Sequence, residues 1–97
     1  MKIKLFFSPD YSATSLFDEE GYNREYEDFP LSAELVKQLE EFDDSIWEYA
    51  EMSMSITEQR KREIYENGLR LYNLVCVELG EEYEVIECLD WLKPLKI

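Results

Sequence analysis

Residues 32–51, SAELVKQLEEFDDSIWEYAE, decide the fold class because they carry the clearest helical pattern in the chain. Large apolar side chains recur there at steps of three and four residues, the spacing of one face of an α-helix. Ser32 fits the N-cap position, where its hydroxyl accepts a hydrogen bond from the backbone of the first turn. The segment therefore predicts an amphipathic helix with one face on a core. The apolar positions are Leu35, Leu39, Phe42, Ile46 and Tyr49.

A second helix is predicted after a short connector at residues 52–55. Residues 55–58, SITE, have the form of a capping box, and Gly80 is placed to end the helix in the left-handed conformation. Gly68 costs a helix about 1 kcal/mol relative to alanine, so we expect another backbone to approach closely there. Two adjacent apolar stripes predict a broad buried face and make this the central helix. The stripes are Ile64, Leu71, Val75 and Leu79, and beside them Tyr65, Leu69, Tyr72 and Cys76.

Strand patterns flank the two helices. Residues 2–8 alternate polar and apolar side chains and then become apolar, which predicts a strand. A hairpin is predicted from residues 13–17 with 21–24, with Gly21 free to take a positive φ in the turn. Residues 83–89 predict a buried strand, after which Pro94 argues against a further central strand. The predicted fold class is α/β (α+β), a small sheet of three or four strands covered on one face by two helices, in the order β-(hairpin)-α-α-β.

The composition predicts a single domain over residues 1–97 with a strongly acidic surface. The chain has 23 acidic and 10 basic side chains, a formal net charge of −13. Direct binding to nucleic acid or to an anionic membrane needs cations and is therefore disfavoured. The basic run at residues 60–62 is expected to pair with Glu58 and Glu63 on its own helix. Because no apolar run has the length of a signal peptide or a membrane span, we expect a cytoplasmic protein.

The residue types argue against catalysis. With no histidine, the chain cannot build a Ser-His-Asp or Cys-His nucleophile, nor an imidazole zinc site. Cys76 and Cys88 do not form a C-x-x-C pair and are predicted to be buried, reduced thiols. Residues 18–23, DEEGYN, lack the order of a calcium-binding EF-hand loop. We therefore expect no enzyme, no cofactor and no metal site.

Acidic side chains are concentrated in the first half of the chain. Residues 10–51 hold fourteen acidic and two basic side chains, whereas residues 57–70 hold three and four. Such concentration raises self-repulsion and favours a patch that attracts a basic partner, although acid can also serve solubility alone. Tyrosine and tryptophan in the same stretch suit anchoring contacts, although Trp47 could instead cover a loop. The predicted partner-binding residues are Asp18, Glu19, Glu20, Tyr22, Glu25, Tyr26, Glu40, Glu41, Asp44, Trp47, Glu48 and Glu51.

Four parts of the chain carry a resemblance to a known group of proteins. They are residues 16–23 (LFDEEGYN), 30–35 (PLSAEL), Gly68 and residues 78–85 (ELGEEYEV). These parts resemble small acidic bacterial immunity proteins that accompany polymorphic toxins, including those of contact-dependent growth inhibition systems. The resemblance covers most of the chain and implies an inhibitor that binds a cognate toxin domain, often a basic nuclease, and blocks or distorts its active site. It transfers no contact residue, because such interfaces vary between relatives.

The first functional prediction is therefore an acidic immunity protein that neutralises a cognate, basic and nuclease-like toxin domain. Two alternatives stay open at this point. A DNA-mimic inhibitor of a nucleic-acid enzyme would present carboxylates in two ridges spaced like phosphates. A non-catalytic scaffold or oligomer subunit would form a homodimer through an edge strand.

Overall fold

The fold is a mixed four-stranded sheet with two long helices. The computed structural model describes residues 2–11, 13–51 and 55–92. Of the predicted connector, residues 52–54 lie outside the described residues, and so does Pro94. The elements are β1 (Ile3–Phe7), β2 (Leu16–Asp18), β3 (Asn23–Arg24), α1 (Ala33–Glu51), α2 (Glu58–Leu79) and β4 (Tyr83–Glu87), with single 3-10 turns at Tyr26–Asp28, Gly80–Glu82 and Asp90–Leu92.

The sheet has the strand order β3-β2-β1-β4. Strand β1 runs antiparallel to β2, with Phe7 opposite Leu16, and parallel to β4, with Phe7 opposite Glu87. The predicted hairpin is present with shorter strands, and Gly21 takes a φ of 87° in its turn. These elements confirm the predicted α+β class and the predicted order. The last strand is not buried throughout, because it lies at the edge of the sheet and buries only Val85.

Both helices pack on one face of the sheet. The predicted apolar stripe of α2 is buried as expected, and its second stripe is half-buried at the margin of the core. On the opposite face of the sheet, Phe6, Phe17 and Ile86 are half-buried. The core cluster consists of Leu5, Phe7, Leu16, Tyr26, Leu35, Leu39, Phe42, Ile46, Ile64, Leu71, Val75, Leu79, Val85, Leu89 and Leu92.

Helix α1 begins where the sequence predicts. The Oγ atom of Ser32 accepts a hydrogen bond of 3.1 Å from the backbone N–H of Leu35, which confirms Ser32 as the N-cap. Ser32 also donates from its backbone N–H and its hydroxyl to the carboxylate of Glu78, at 2.6 and 2.9 Å. This carboxylate therefore joins the start of α1 to the end of α2.

Helix α2 differs from the prediction at both ends. Its N-cap is Thr57, whose Oγ1 accepts a 3.0 Å bond from the backbone N–H of Arg60, so the predicted capping box from Ser55 to Glu58 is wrong. Because the helix begins at Glu58, an arginine and not a glutamate occupies its third position, where a capping box needs an acceptor. Gly80 ends the helix with a φ of 77°, but its ψ of −164° is not the left-handed helical value.

Two further predictions about packing need correction. A Cβ atom on Gly68 would lie 3.0 Å from Cζ and 3.1 Å from Cε1 of the Phe42 ring, so the close approach involves a side chain and not a backbone. Cys76 and Cys88 are free thiols, but both are half-buried. Cys76 belongs to the outer stripe of α2, and Cys88 follows the edge strand, so neither reaches the centre of the core.

Candidate partner-binding surface

The five acidic residues of α1 that were predicted to bind the partner divide into two groups with different surroundings. Glu40, Asp44, Trp47 and Glu51 follow one another at steps of four, three and four, so they form one stripe along the helix. We call this stripe the acidic stripe. Glu41 and Glu48 lie on the side that faces α2, and Glu41 lines a groove there that also contains basic residues of α2.

Glu48 is largely neutralised within the protein. Its two carboxylate oxygens accept hydrogen bonds of 2.8 and 3.0 Å from Nε and Nη2 of Arg60. This hydrogen bond to the guanidinium holds the pKa of the Glu48 carboxyl below its usual value. Arg60 also pairs with Glu63, and Lys61 with Glu58, which confirms the predicted pairing along α2 for these two residues of the basic run. The shortest ion pair of Arg60, to Glu48 on α1, was not predicted.

The acidic stripe keeps its negative charge. Within residues 2–11, 13–51 and 55–92, no ion pair is formed by Glu40, Asp44 or Glu51. All three are exposed. Glu40 and Asp44 line a cavity of about 310 Å³ whose other walls are Tyr11, Ala13, Asp43 and Trp47.

Trp47 belongs to an exposed cluster of aromatic rings. Its side chain is 46% exposed, and its ring centroid lies 5.6 Å from that of Tyr11. Tyr11 in turn lies 5.7 Å from Trp91, and Trp91 lies 5.5 Å from Tyr49. We call these four residues the aromatic cluster. Because Tyr11 and Trp91 are also 40% and 43% exposed, the cluster presents a broad amphipathic surface beside the acidic stripe.

The sheet topology positions this cluster. Tyr11 and Trp91 follow the carboxyl ends of β1 and β4, which are parallel neighbours, so the two segments leave the sheet at the same end. The indole Nε1–H of Trp91 donates a 3.0 Å hydrogen bond to the backbone oxygen of Pro9 and ties the segments together. Tyr11 has a φ of 37°, a conformation that bulky residues rarely adopt and that carries strain. Its ring packs against those of Trp47 and Trp91.

Below the cavity lies a buried network of hydrogen bonds. The Ser15 hydroxyl donates to Oδ1 of Asp43 at 2.6 Å, and the Tyr26 hydroxyl donates to Oδ2 at 2.6 Å. The Ser15 backbone N–H donates to the Tyr26 hydroxyl at 2.9 Å and closes the triangle. Tyr26 is 2% exposed, so its predicted role as a partner contact is corrected: it holds Asp43 from inside the core.

Burial changes the acidity of this network. Loss of hydration raises the pKa of Asp43 to about 6, although the hydrogen bonds from Ser15 and Tyr26 oppose the change. The neighbouring charges of Asp44 and Glu40 raise it further. Burial and the Asp43 carboxylate likewise raise the pKa of the Tyr26 phenol far above its ordinary value. The hydroxyl of Tyr26 is therefore a donor throughout the accessible pH range.

The predicted residues of the hairpin lie elsewhere on the surface. Asp18 organises the turn, since its Oδ1 accepts backbone N–H bonds from Glu20 and Tyr22 at 2.9 and 3.0 Å and its Oδ2 lies 3.5 Å from Arg24. The backbone hydrogen bond from Tyr22 is the main reason that the pKa of the Asp18 carboxyl lies below its ordinary value, and the bonds from Glu20 and Arg24 lower it further. Because β2 is antiparallel to β1, the turn points toward the amino end of β1, whereas the aromatic cluster follows its carboxyl end. Glu19, Glu20, Tyr22 and Glu25 are exposed around this turn.

The structure thus does not bring the twelve predicted residues together. It brings Glu40, Asp44 and Trp47 together with Tyr11 around one cavity and places Trp91 beside Tyr11. Glu51 lies one helical turn beyond Trp47 on the same stripe, whereas Asp18 and Glu19 line a different groove with Ser8 and Asp10. Sequence reasoning missed Tyr11 and Trp91, which are distant in the chain and meet only through parallel strand pairing. It also missed Asp43, for which a signal existed: Asp43 follows Leu39 by four residues and so lies on the core side of α1.

An acidic stripe beside exposed aromatic rings has the chemistry of a surface that binds another protein. Residues 1–88 match the model of the Serratia CdiI immunity protein-like family, and the chain belongs to this family. This confirms the resemblance to immunity proteins of contact-dependent growth inhibition systems and implies a role in toxin neutralisation. No curated protein and no solved structure matches the chain significantly. In the described part of the chain, neither helix has the length and apolar character needed to cross a membrane.

Proposed function

We propose that this protein is a non-catalytic inhibitor that binds a basic, nuclease-like toxin domain in the cytoplasm. Membership in an immunity-protein family supports toxin neutralisation, and the net charge of −13 supports a partner of opposite charge. The acidic stripe and the aromatic cluster would form the contact. The hairpin residues Glu19, Glu20, Tyr22 and Glu25 would add attraction at longer range.

One observation carries this proposal. Glu40, Asp44 and Glu51 have no ion pair within the described residues, and they lie beside rings that expose a large area. Clustered unpaired carboxylates repel one another, so the arrangement costs stability unless a cation arrives. The nearby rings supply the buried area that an interface of about 800 Å² per partner requires.

The test measures association with the C-terminal domain of a candidate cognate toxin. Association rates are recorded by stopped flow from about 0.01 M to about 1 M salt, over which the Debye length falls from about 30 Å to about 3 Å. We expect the rate to fall by about tenfold or more, as electrostatically steered complexes do. A rate that stays constant would show that the partner is not captured by its charge.

A matched pair of variants locates the effect. Glu40→Gln/Asp44→Asn removes two charges from the acidic stripe, and Glu81→Gln/Glu82→Gln removes two from the turn at the opposite end of β4. The first variant should lose more of the salt dependence than the second. A homodimer of the isolated protein, seen by light scattering and changed in its stability by Glu40→Gln/Asp44→Asn but not by Glu81→Gln/Glu82→Gln, would instead contradict the proposed surface.

A further inference from the structure

We infer that the cavity lined by Glu40, Asp44, Trp47 and Tyr11 receives an arginine side chain of the toxin and that this contact anchors the complex. The inference rests on the proposed function, because it names the chemical group of the basic partner that binds there. It is carried by three features of the cavity: its aromatic walls, its two adjacent carboxylates that have no ion pair within the described residues, and its rigid floor.

The aromatic walls suit a flat cation. Trp47 and Tyr11 have centroids 5.6 Å apart with ring planes tilted by 45°, and both rings keep a large exposed area toward the cavity and solvent. A guanidinium group stacks on such ring faces through cation–π attraction, and its hydrocarbon stem covers apolar area. One arginine side chain would therefore give these rings both a cation–π contact and an apolar contact.

The carboxylates select the charge of the occupant. Glu40 and Asp44 are one helical turn apart, both line the cavity, and neither has an ion pair within the described residues. Guanidinium donates hydrogen bonds as a planar fork and can serve two acceptors at once, whereas an ammonium group acts as a point charge. An apolar occupant would remove water from the carboxylates without replacing its hydrogen bonds. The geometry therefore favours arginine over lysine and over neutral side chains.

The floor of the cavity is rigid. Asp43 lines it, but both of its oxygens are engaged by Ser15 and Tyr26, so it adds negative potential without competing for the same bonds. On the opposite wall, the Tyr11 ring packs against Trp47 and Trp91, with centroids 5.6 and 5.7 Å apart. A site whose walls are fixed before binding loses little freedom when the partner arrives. The cavity is therefore suited to an anchoring contact.

The first experiment uses small probes on the whole protein. The Nα-acetyl amides of arginine, lysine and citrulline are titrated while the indole and backbone N–H signals are followed by NMR. Citrulline is the matched control, because it has the shape of arginine without the charge. We expect saturable shifts at Trp47 and residues 40–47 with arginine, weaker ones with lysine and none with citrulline. Equal shifts with arginine and citrulline would overturn the inference.

The second experiment separates this inference from the proposed function. Toxin binding is measured for the wild type, for Trp47→Ala, for Glu40→Gln/Asp44→Asn and for the control Glu81→Gln/Glu82→Gln. We expect Trp47→Ala and Glu40→Gln/Asp44→Asn each to raise Kd by about tenfold or more, and the control to change Kd little. If the wild type binds and the two variants bind equally well, the arginine contact is wrong and the proposed function stands. If the wild type does not bind the toxin domain, the proposed function itself fails.

Discussion

The phenol oxygen of Tyr26 lies 2.6 Å from Oδ2 of Asp43, in a bond that joins the turn before α1 to the middle of that helix. Ser15, which precedes β2, binds both residues. Three segments distant in the sequence therefore meet at one carboxylate. Because the cavity lined by Glu40 and Asp44 lies above this carboxylate, the network also sets the shape of the candidate binding surface.

Asp43→Asn should change how stability depends on pH. The carboxyl pKa is about 6 in the folded protein against the ordinary value of 3.8, so the folded state binds more protons between these values. The contribution of Asp43 to the free energy of unfolding is therefore greatest in acid and falls as the pH rises through about 6. In urea unfolding from about pH 4 to about pH 7, the Asp43→Asn variant should gain stability relative to the wild type as the pH rises.

The same series on Asp44→Asn is the control, since it removes one charge from the exposed side of the same helix turn. A difference between wild type and Asp43→Asn that is constant with pH would contradict the perturbed acidity of Asp43.

Tyr26→Phe should destabilise the fold. The change removes a hydroxyl that donates to Asp43 and accepts from the Ser15 backbone, and leaves both buried groups short of a partner. We expect a loss of about 1–3 kcal/mol in the free energy of unfolding, measured by urea denaturation. Tyr22→Phe is the matched control, because Tyr22 is 65% exposed and should tolerate the change. Equal stability of the two variants would show that the network contributes little.

Gly68→Ala should also destabilise the protein, although alanine is the better helix former by about 1 kcal/mol. The added Cβ would lie 3.0 Å from the Phe42 ring, which is buried and stacked against Phe7 with centroids 6.0 Å apart. The ring cannot move without disturbing the core, so we expect a net loss of about 1–2 kcal/mol in thermal or urea unfolding. Phe42→Leu should then cost less stability in the Gly68→Ala background than in the wild type, because it relieves the contact with the added Cβ. A more stable Gly68→Ala variant would mean that the ring has room to shift.

The Glu48–Arg60 pair should contribute little to stability. Both side chains are partly exposed, and such pairs are typically coupled by less than about 1 kcal/mol even when the geometry is good. A double-mutant cycle with Glu48→Gln and Arg60→Gln measures this coupling in urea.

Because Glu48 is already paired, Glu48→Gln should slow toxin association less than Asp44→Asn does. The reverse order would show that the side of α1 facing α2 contributes more to steering than the acidic stripe.

The helices and the hairpin could be predicted because their signals are local. Ser32 is followed by apolar residues at helical spacing, and Gly21 supplies the positive φ of the turn. The start of α2 is harder to predict because Ser55 and Thr57 both have good N-cap chemistry, and the local pattern does not distinguish them. The close approach at Gly68 was expected, but its partner, Phe42, belongs to the other helix and is set by packing alone.

Only the part of the candidate surface that lies on α1 could be predicted from the sequence. Glu40, Asp44 and Trp47 share a helix, so their spacing alone places them together. Tyr11 and Trp91 are separated by most of the chain, and their meeting depends on β1 and β4 being parallel neighbours. Glu48 has the same local pattern as Asp44, but its neutralisation by Arg60 depends on how the two helices pack. Contacts between elements, and not propensities within them, account for the misses at Tyr11, Trp91 and Glu48.

The placement of Tyr11 and Trp91 beyond the last paired residues of β1 and β4 also bears on evolution. The hydrogen-bonded pairing of β1 with β4 ends where the backbone N–H of Cys88 donates to the backbone oxygen of Phe7 at 3.0 Å. Tyr11 and Trp91 follow this point in the chain. Replacement of the Tyr11 ring removes no hydrogen bond between the strands, whereas replacement of Trp91 removes its bond to Pro9. Under the proposed function, a new toxin variant would therefore be matched by exchanging the exposed Tyr11 side chain while the pairing of β1 with β4 stays as it is.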